Sequence, residues 1–368
     1  MKRTAILLAT VLMLTASTCW GARAKINTIS QDPYISALVL DADTGKVLVD
    51  ENSDAVVYPA SVLKLMVLYV ILDRIEQGVL KLDDMVQITK ESAEMGGSQV
   101  YLDPKEQFSV EDLLYALIIQ SANDAAVALA MHVAGTKDGF VELMNEKAAQ
   151  LGMTKTSFHS VHGLPPSEGQ SVDTTTAKDM GILARELSKN PEVFKYTGTR
   201  ERDFRNGEFI MRTHNKLLVT VDGCDGFKTG YFKAAGFSIV ATAKRKGVRI
   251  IAIVLGSVDR KVRDAKASEL IAIGFAKVPS RAEPEPVIKK PAVTPKPDQS
   301  SQTAPVQEAI QTETPQPDKA EPDKKAGDRL WGRDLLMIGI GFAAGVAFCL
   351  AFALFTSRSR SGRRRRLM

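Results

Sequence analysis

The sequence predicts an α/β sandwich in which sheet strands from both ends of the domain enclose an inserted helical region. Three observations predict it. Residues 34–50 carry two apolar-rich stretches around Asp41-Ala42-Asp43-Thr44-Gly45, the pattern of a β-hairpin. Two longer runs with strand character, Phe237–Ala243 and Val248–Leu255, flank a Lys246-Gly247 turn far along the chain. Between these ends the spacing of apolar residues is helical, and the helices begin at recognisable caps.

In chain order, Ile35–Leu40 and Lys46–Val49 are the hairpin strands. From Pro59 the run P-A-S-V-L-K-L-M continues through Leu68, Tyr69, Val70, Ile71, Leu72 and Ile75 to Gly78 without a turn residue. It reads as a helix apolar nearly all round, and such a helix is buried. Ser109 caps a helix running to Gln120, Asp124 caps another running to Val133 ahead of Gly135, and Gly139–Gln150 makes a third. A helix over Asp259–Lys277 closes the domain, and the cleft between its sheet part and its helical part is the expected site.

The flanking segments differ in kind. Residues 1–24 join Met1-Lys2-Arg3 to an apolar stretch and a small-x-small ending at Ala22-Arg23-Ala24, as in a secretory signal peptide. Residues 279–329 turn to Pro, Glu, Lys, Gln and Thr, as in a disordered, extended linker. Leu335–Phe355 is an unbroken apolar run of about 21 residues, enough for one transmembrane helix. Six arginines in residues 356–368 then place that tail in the cytoplasm and the body of the protein on the periplasmic or extracellular side. The net charge of +5 is smaller than those six arginines supply, so the remainder is slightly acidic and no nucleic-acid partner is expected. Cys19 falls in the signal peptide and Cys349 in the membrane span, so Cys224 is left in the exported body with no partner for a disulfide, and it reads as a small buried apolar residue.

Three short patterns carry chemistry. Ser61 and Lys64 stand three apart, one helical turn on the same face, inside the apolar run. Burial disfavours a charged lysine, so that amine has a physical reason to act as a base on the hydroxyl. Taken alone, the pair also fits a capping serine and a snorkelling lysine. Ser121-Ala122-Asn123 follows where one apolar helix stops and the next begins, and by itself fits helix capping equally. Lys228-Thr229-Gly230 opens an edge strand and would offer a cation and a hydroxyl to an anionic group, with a glycine that lets a substrate backbone approach. His159 and His162 are three apart, but no H-E-x-x-H pattern is present, so neither a metal nor another cofactor is expected.

The order Ser-x-x-Lys, Ser-x-Asn, Lys-Thr-Gly is that of the serine penicillin-recognising enzymes. From about Asp32 to Lys277 the chain resembles the D-alanyl-D-alanine carboxypeptidases, the low-molecular-mass penicillin-binding proteins. Tyr58-Pro59-Ala60-Ser61, LIIQSAND at Leu117–Asp124, His162-Gly163-Leu164-Pro165, Thr176–Met180 and Gly223–Gly230 carry the likeness further. The resemblance implies a β-lactamase/transpeptidase-like antiparallel sheet sandwiched by helices, with a catalytic domain over 32–278. It implies Ser61 as nucleophile on the bond between two D-alanines, Lys64 as its general base and Ser121 as proton shuttle to the leaving amine. Asn123 would bind the substrate amide; Lys228, Thr229 and Arg249 would hold the terminal carboxylate; Gly230 would admit the substrate. Backbone N–H groups of Ser61 and Tyr231 would form the oxyanion hole. Partners would be peptidoglycan stem peptides and β-lactam antibiotics. Phe232 departs from the threonine usual two residues after the glycine, and a Pro-rich linker with a membrane span follows the catalytic domain where many relatives have a β-rich domain and an amphipathic helix. A D,D-endopeptidase, a β-lactamase using Glu168, and a non-catalytic β-lactam sensor are the alternatives.

Overall fold

The computed structural model of the protein describes residues 33–281. The strands are β1 (Ser36–Asp41), β2 (Val47–Glu51), β3 (Met85–Gln87), β4 (Gln107–Ser109), β5 (Glu201–Phe204), β6 (Phe209–Arg212), β7 (Cys224–Phe232), β8 (Gly236–Arg245) and β9 (Val248–Ser257). Five of them form one antiparallel sheet in the order β2-β1-β9-β8-β7, while β3–β4 and β5–β6 are separate ribbons. The helices are α1 (Lys64–Glu76), α2 (Lys90–Ala93), α3 (Val110–Tyr115), α4 (Asn123–Ala134), α5 (Lys137–Leu151), α6 (Ala177–Lys189), α7 (Val193–Thr197), α8 (Leu217–Thr220) and α9 (Arg260–Lys277).

Strand side chains alternate between two apolar layers. Ala37, Val39, Ile239, Ala241, Ala243, Ile250, Ala252 and Val254 pack on one face with Ala267, Leu270 and Ile271 of α9. Leu38, Leu40, Val240, Ile251, Ile253 and Leu255 face the other way, into the core made by the remaining helices. With both faces covered, β9 is apolar on both sides, which is why Val248–Leu255 reads as a nearly continuous apolar run. Gly181 of α6 sits flat on this sheet: a Cβ there would lie 2.9 Å from the side chains of both Leu38 and Leu40.

Helix α1 runs through the helical part, and its Leu65, Met66, Val67, Leu68 and Ile71 are fully buried. Their burial, about 1.5–3 kcal/mol each relative to exposure, anchors the helix that carries Lys64 at its first position. Ser109 caps α3 as expected, its Oγ accepting the Asp112 N–H at 3.1 Å. The helix then changes pitch: Ala116–Gln120 is a π-helical turn, closed by Ser121 in the left-handed conformation at φ 60°. Asp124 is not the cap of α4. It lies within the first turn, and its carboxylate accepts N–H groups of Val100 and Leu102, tying down the preceding loop. Thr136, rather than Gly139, opens α5, accepting the Gly139 N–H at 3.0 Å.

Among the described residues no helix is long and apolar enough to cross a membrane. The segments 1–24, 335–355 and 356–368 lie outside the described residues, as does 279–329 beyond its first three positions. Of those three, Arg281 returns to the domain and pairs with Asp41 and Asp43 at the end of β1.

Candidate active site

Ser61 lies in a 3-10 turn, Ala60–Leu63, that leads directly into α1. Its neighbour Ala60 has φ 48°, an unusual left-handed conformation for a residue with a side chain. One turn on, Lys64 is wholly buried, and its Nζ lies 3.1 Å from Ser61 Oγ, 2.8 Å from Asn123 Oδ1 and 2.6 Å from the His162 carbonyl oxygen. A neutral amine has two hydrogens and one lone pair. The Asn123 and His162 oxygens only accept, so they take the two hydrogens and leave the lone pair for the Ser61 hydroxyl. Burial pushes the Lys64 pKa well below the ordinary lysine value, and the charge of Lys228 pushes it the same way, against the opposing carboxylates of Asp173 and Asp124.

Opposite stands β7, the free edge of the sheet. Lys228 and Thr229 fall in the middle of this strand rather than at its start, because β7 already begins at Cys224. Lys228 is 2% exposed; burial, and then the neighbouring Arg263, bring its pKa down to about 7. A Cβ at Gly230 would lie 2.8 Å from Pro59 O and 3.0 Å from Ser61 N. Glycine is what lets β7 close onto the turn that carries the serine, bringing Gly230 beside the Ser61 amide.

Between these walls is a cleft of about 370 Å³, lined by Ser61, Ser121, Thr229, Gly230 and Tyr231 among the residues expected from the sequence. Asn123 lies beneath it, 2% exposed, with its Nδ2 donating to Gly96 O at 2.7 Å. With Oδ1 held by Lys64 and one amide hydrogen by Gly96, a single N–H of this side chain is left for a substrate.

Arg249 is not in the cleft lining. Its guanidinium pairs with Asp225 at 2.8 Å, donates to Thr242 Oγ1 at 2.9 Å and stacks over the Phe194 ring at 3.8 Å. It belongs to the Cys224 end of the sheet, where β9 Ile250 aligns with β8 Ala243 and β7 Cys224. From the Asp225 with which it pairs, Thr229 is four residues further along β7, about 13 Å away at the rise of a strand. The arginines that do line the cleft are Arg260 and Arg263 of α9, joined by Thr213, His214 and Lys216 just before α8 and by Ser98. Sequence reading passed these over; the one signal available was the i, i+3 spacing of the two arginines on one helical face. Arg249→Ala is therefore expected to leave kcat/KM within about threefold while costing about 1–3 kcal/mol of stability through the unpaired Asp225, which urea unfolding beside a steady-state assay will show.

Phe232 stacks on Tyr58 with centroids 6.0 Å apart, and Tyr231, half exposed, stacks on Phe237 at 4.1 Å. Cys224 is partly buried, and burial raises its thiol pKa to about 11, so it holds little thiolate at neutral pH. His159 Nε2 is 3.0 Å from Ser157 Oγ, and His162 Nδ1 accepts the Leu164 N–H. Among the described residues no group of three His, Cys, Asp or Glu side chains is placed to hold a metal ion.

The family profile described as D-alanyl-D-alanine carboxypeptidase, Peptidase S11, matches residues 26–259. The chain is 37% identical over 258 residues to D-alanyl-D-alanine carboxypeptidase DacF of Bacillus subtilis, covering 69% of this chain and 64% of that protein. It is 36% identical over 272 residues to D-alanyl-D-alanine carboxypeptidase DacC of Escherichia coli, covering 72% and 66%. The matched region thus spans slightly less than two thirds of either relative's length. Among solved structures, penicillin-binding protein 5 of Haemophilus influenzae superposes with a TM-score of 0.62 at 32% identity, over 68% of this chain and 73% of that one. Penicillin-binding protein D2 of Listeria monocytogenes, in its ampicillin-bound form, superposes with a TM-score of 0.60 at 30% identity, over 68% and 100%. The chain belongs to the D-alanyl-D-alanine carboxypeptidase family of serine peptidases.

Proposed function

We propose that this protein is a membrane-anchored serine carboxypeptidase that removes the terminal D-alanine from peptidoglycan stem pentapeptides and is acylated by β-lactams. The observation that carries the reading is the buried Lys64 amine, whose two hydrogens are engaged by Asn123 and His162 and whose remaining position faces Ser61 Oγ. Lys64 takes the Ser61 proton as Oγ attacks the carbonyl between the two D-alanines. The oxyanion forms against the Ser61 and Tyr231 N–H groups, each such donor contributing about 3 kcal/mol. Lys64 hands the Ser61 proton to Ser121, which passes its own to the leaving D-alanine nitrogen as the C–N bond breaks. Water then attacks the Ser61 ester, Lys64 receiving its proton and returning it to Ser61 Oγ as the ester C–O bond breaks, and the shortened peptide leaves. Lys228, Thr229 and the cationic cleft residues Arg260 and Arg263 hold the terminal carboxylate. A β-lactam presents the same carbonyl and carboxylate. Its ring nitrogen stays attached to the acyl group after opening, so no leaving group clears the cleft for water. The anchor is supported by the apolar run 335–355 and the arginines after it, which put the catalytic domain outside the membrane.

The test is incubation of the purified protein with a peptide ending in D-Ala-D-Ala. Free D-alanine and a stable adduct with fluorescent penicillin are expected. Cleavage confined to cross-linked peptides would make it an endopeptidase. Rapid nitrocefin turnover without a lasting adduct would make it a β-lactamase, and an adduct without peptide hydrolysis would make it a sensor.

A further inference from the structure

Lys64 needs its hydrogens pointed away from Ser61, and one of the two oxygens that point them is a main-chain carbonyl, that of His162. A carbonyl is aimed by its peptide plane. The N–H of the same peptide unit belongs to Gly163, and it donates to Ser160 Oγ at 2.9 Å. In a trans peptide the N–H and C=O point in opposite directions, so fixing the N–H fixes the line along which the carbonyl meets Lys64. Ser160 is oriented in turn by Asp173: its O–H donates to Oδ2 at 2.7 Å, while Oδ1 accepts the N–H groups of His159 at 2.6 Å and Ser160 at 2.9 Å. Both residues are buried, at 5% and 7% exposed. The peptide plane also lies against the nucleophile's turn, since a Cβ on Gly163, which has φ +74°, would lie 2.3 Å from Ala60 O.

We propose that Asp173 is a positioning residue for the acylation step, acting through Ser160 and the His162–Gly163 peptide to orient the Lys64 amine toward Ser61. The proposal rests on the reading of Lys64 as the base. Each bond in the relay polarises the next, and in a dry interior such a chain is stiffer than its links. Three donors converge on the Asp173 carboxyl and favour its ionised form, against burial, which is the larger effect and raises its pKa. The charged groups acting on Lys64 are Lys228 from β7, Asp124 from α4 and Asp173 itself; His159 acts on Asp173.

The experiment measures the rate of acylation by fluorescent penicillin against pH for the full chain and two variants, with thermal unfolding recorded beside it. Ser160→Ala removes the relay and keeps the carboxylate: acylation should fall about 10- to 100-fold, the range a misplaced catalytic group produces, with the ascending limb of the pH profile unmoved. Asp173→Asn should show a similar fall and also move that limb to lower pH, because a negative charge that raises the proton affinity of Lys64 is gone. Wild-type acylation in both variants overturns the proposal. So does a loss that only follows the folded fraction while the Asp173→Asn limb stays in place. If Asp173→Asn does not fold, Ser160→Ala decides by its rate alone. Lys64→Met run in parallel separates the parent reading: undiminished acylation there removes the base itself, whatever the loop does.

Discussion

Alanine in place of Ser61 is expected to lower D-alanine release by on the order of a million-fold and to abolish covalent labelling by penicillin, with the unfolding midpoint little changed. Of the three oxygens around Lys64 Nζ among the described residues, Ser61 Oγ is the hydroxyl, and the other two, an amide and a carbonyl oxygen, have no proton to give. Removing it leaves the carboxylate site and the oxyanion donors in place, so substrate still binds but no acyl bond forms. Mass spectrometry of the penicillin-treated variant is the check. An adduct on the alanine form would move the nucleophile elsewhere, with Ser121 the next hydroxyl in the cleft lining.

Methionine at position 64 preserves the apolar stem and deletes the amine. A lost general base costs about 100- to 10,000-fold, expected here in acylation and in kcat/KM alike. The pH profile gives the more discriminating readout. In the wild type the folded pKa of Lys64 is depressed, so its neutral fraction, and the rate, rise with pH across a window below the ordinary lysine value of about 10.4. Lys228 works in the opposite sense. In the proposed role it holds a carboxylate only when charged, and with burial bringing its pKa down to about 7 in the free protein, kcat/KM should turn down as pH rises further. A bound carboxylate raises the Lys228 pKa, so the profile of kcat should extend to higher pH than that of kcat/KM. Because the two amines interact, the limbs belong to the pair. Lys64→Met should lose the ascending limb, and a variant that keeps it would show that another group is the base.

Much of this site is visible in the sequence because helices and strands convert spacing into geometry. Ser61 and Lys64 meet because they are three apart at a helix start, and the apolar residues around them announce that the meeting is dry. Ser121 and Asn123 mark a helix break, although the π-helical turn that shapes it leaves no compositional trace in Ala116–Gln120. Arg249 was misplaced for a specific reason. Its strand is legible in the run Val248–Leu255, but the register that sets it beside Asp225, several residues from Thr229, depends on how β7 pairs with β8, and no local pattern encodes that. Arg260 and Arg263 reach the cleft from α9 through its packing over the sheet. The His162 carbonyl was invisible for a deeper reason: every residue has a carbonyl, and what matters is which peptide plane the fold has turned toward Lys64. The β3–β4 and β5–β6 ribbons were missed because strands of three or four residues lack the length for a period-two signature.

Ala60 and Ser121 both hold backbone conformations that residues with a side chain ordinarily avoid; the first precedes, and the second carries, a hydroxyl of the proposed chemistry. Each such residue costs about 1–2 kcal/mol, against a net folding free energy that for domains is commonly about 5–15 kcal/mol. Reactivity and durability are thus set against each other at these two positions. A heat-resistant derivative obtained by letting either of them relax would gain shelf life and forfeit turnover.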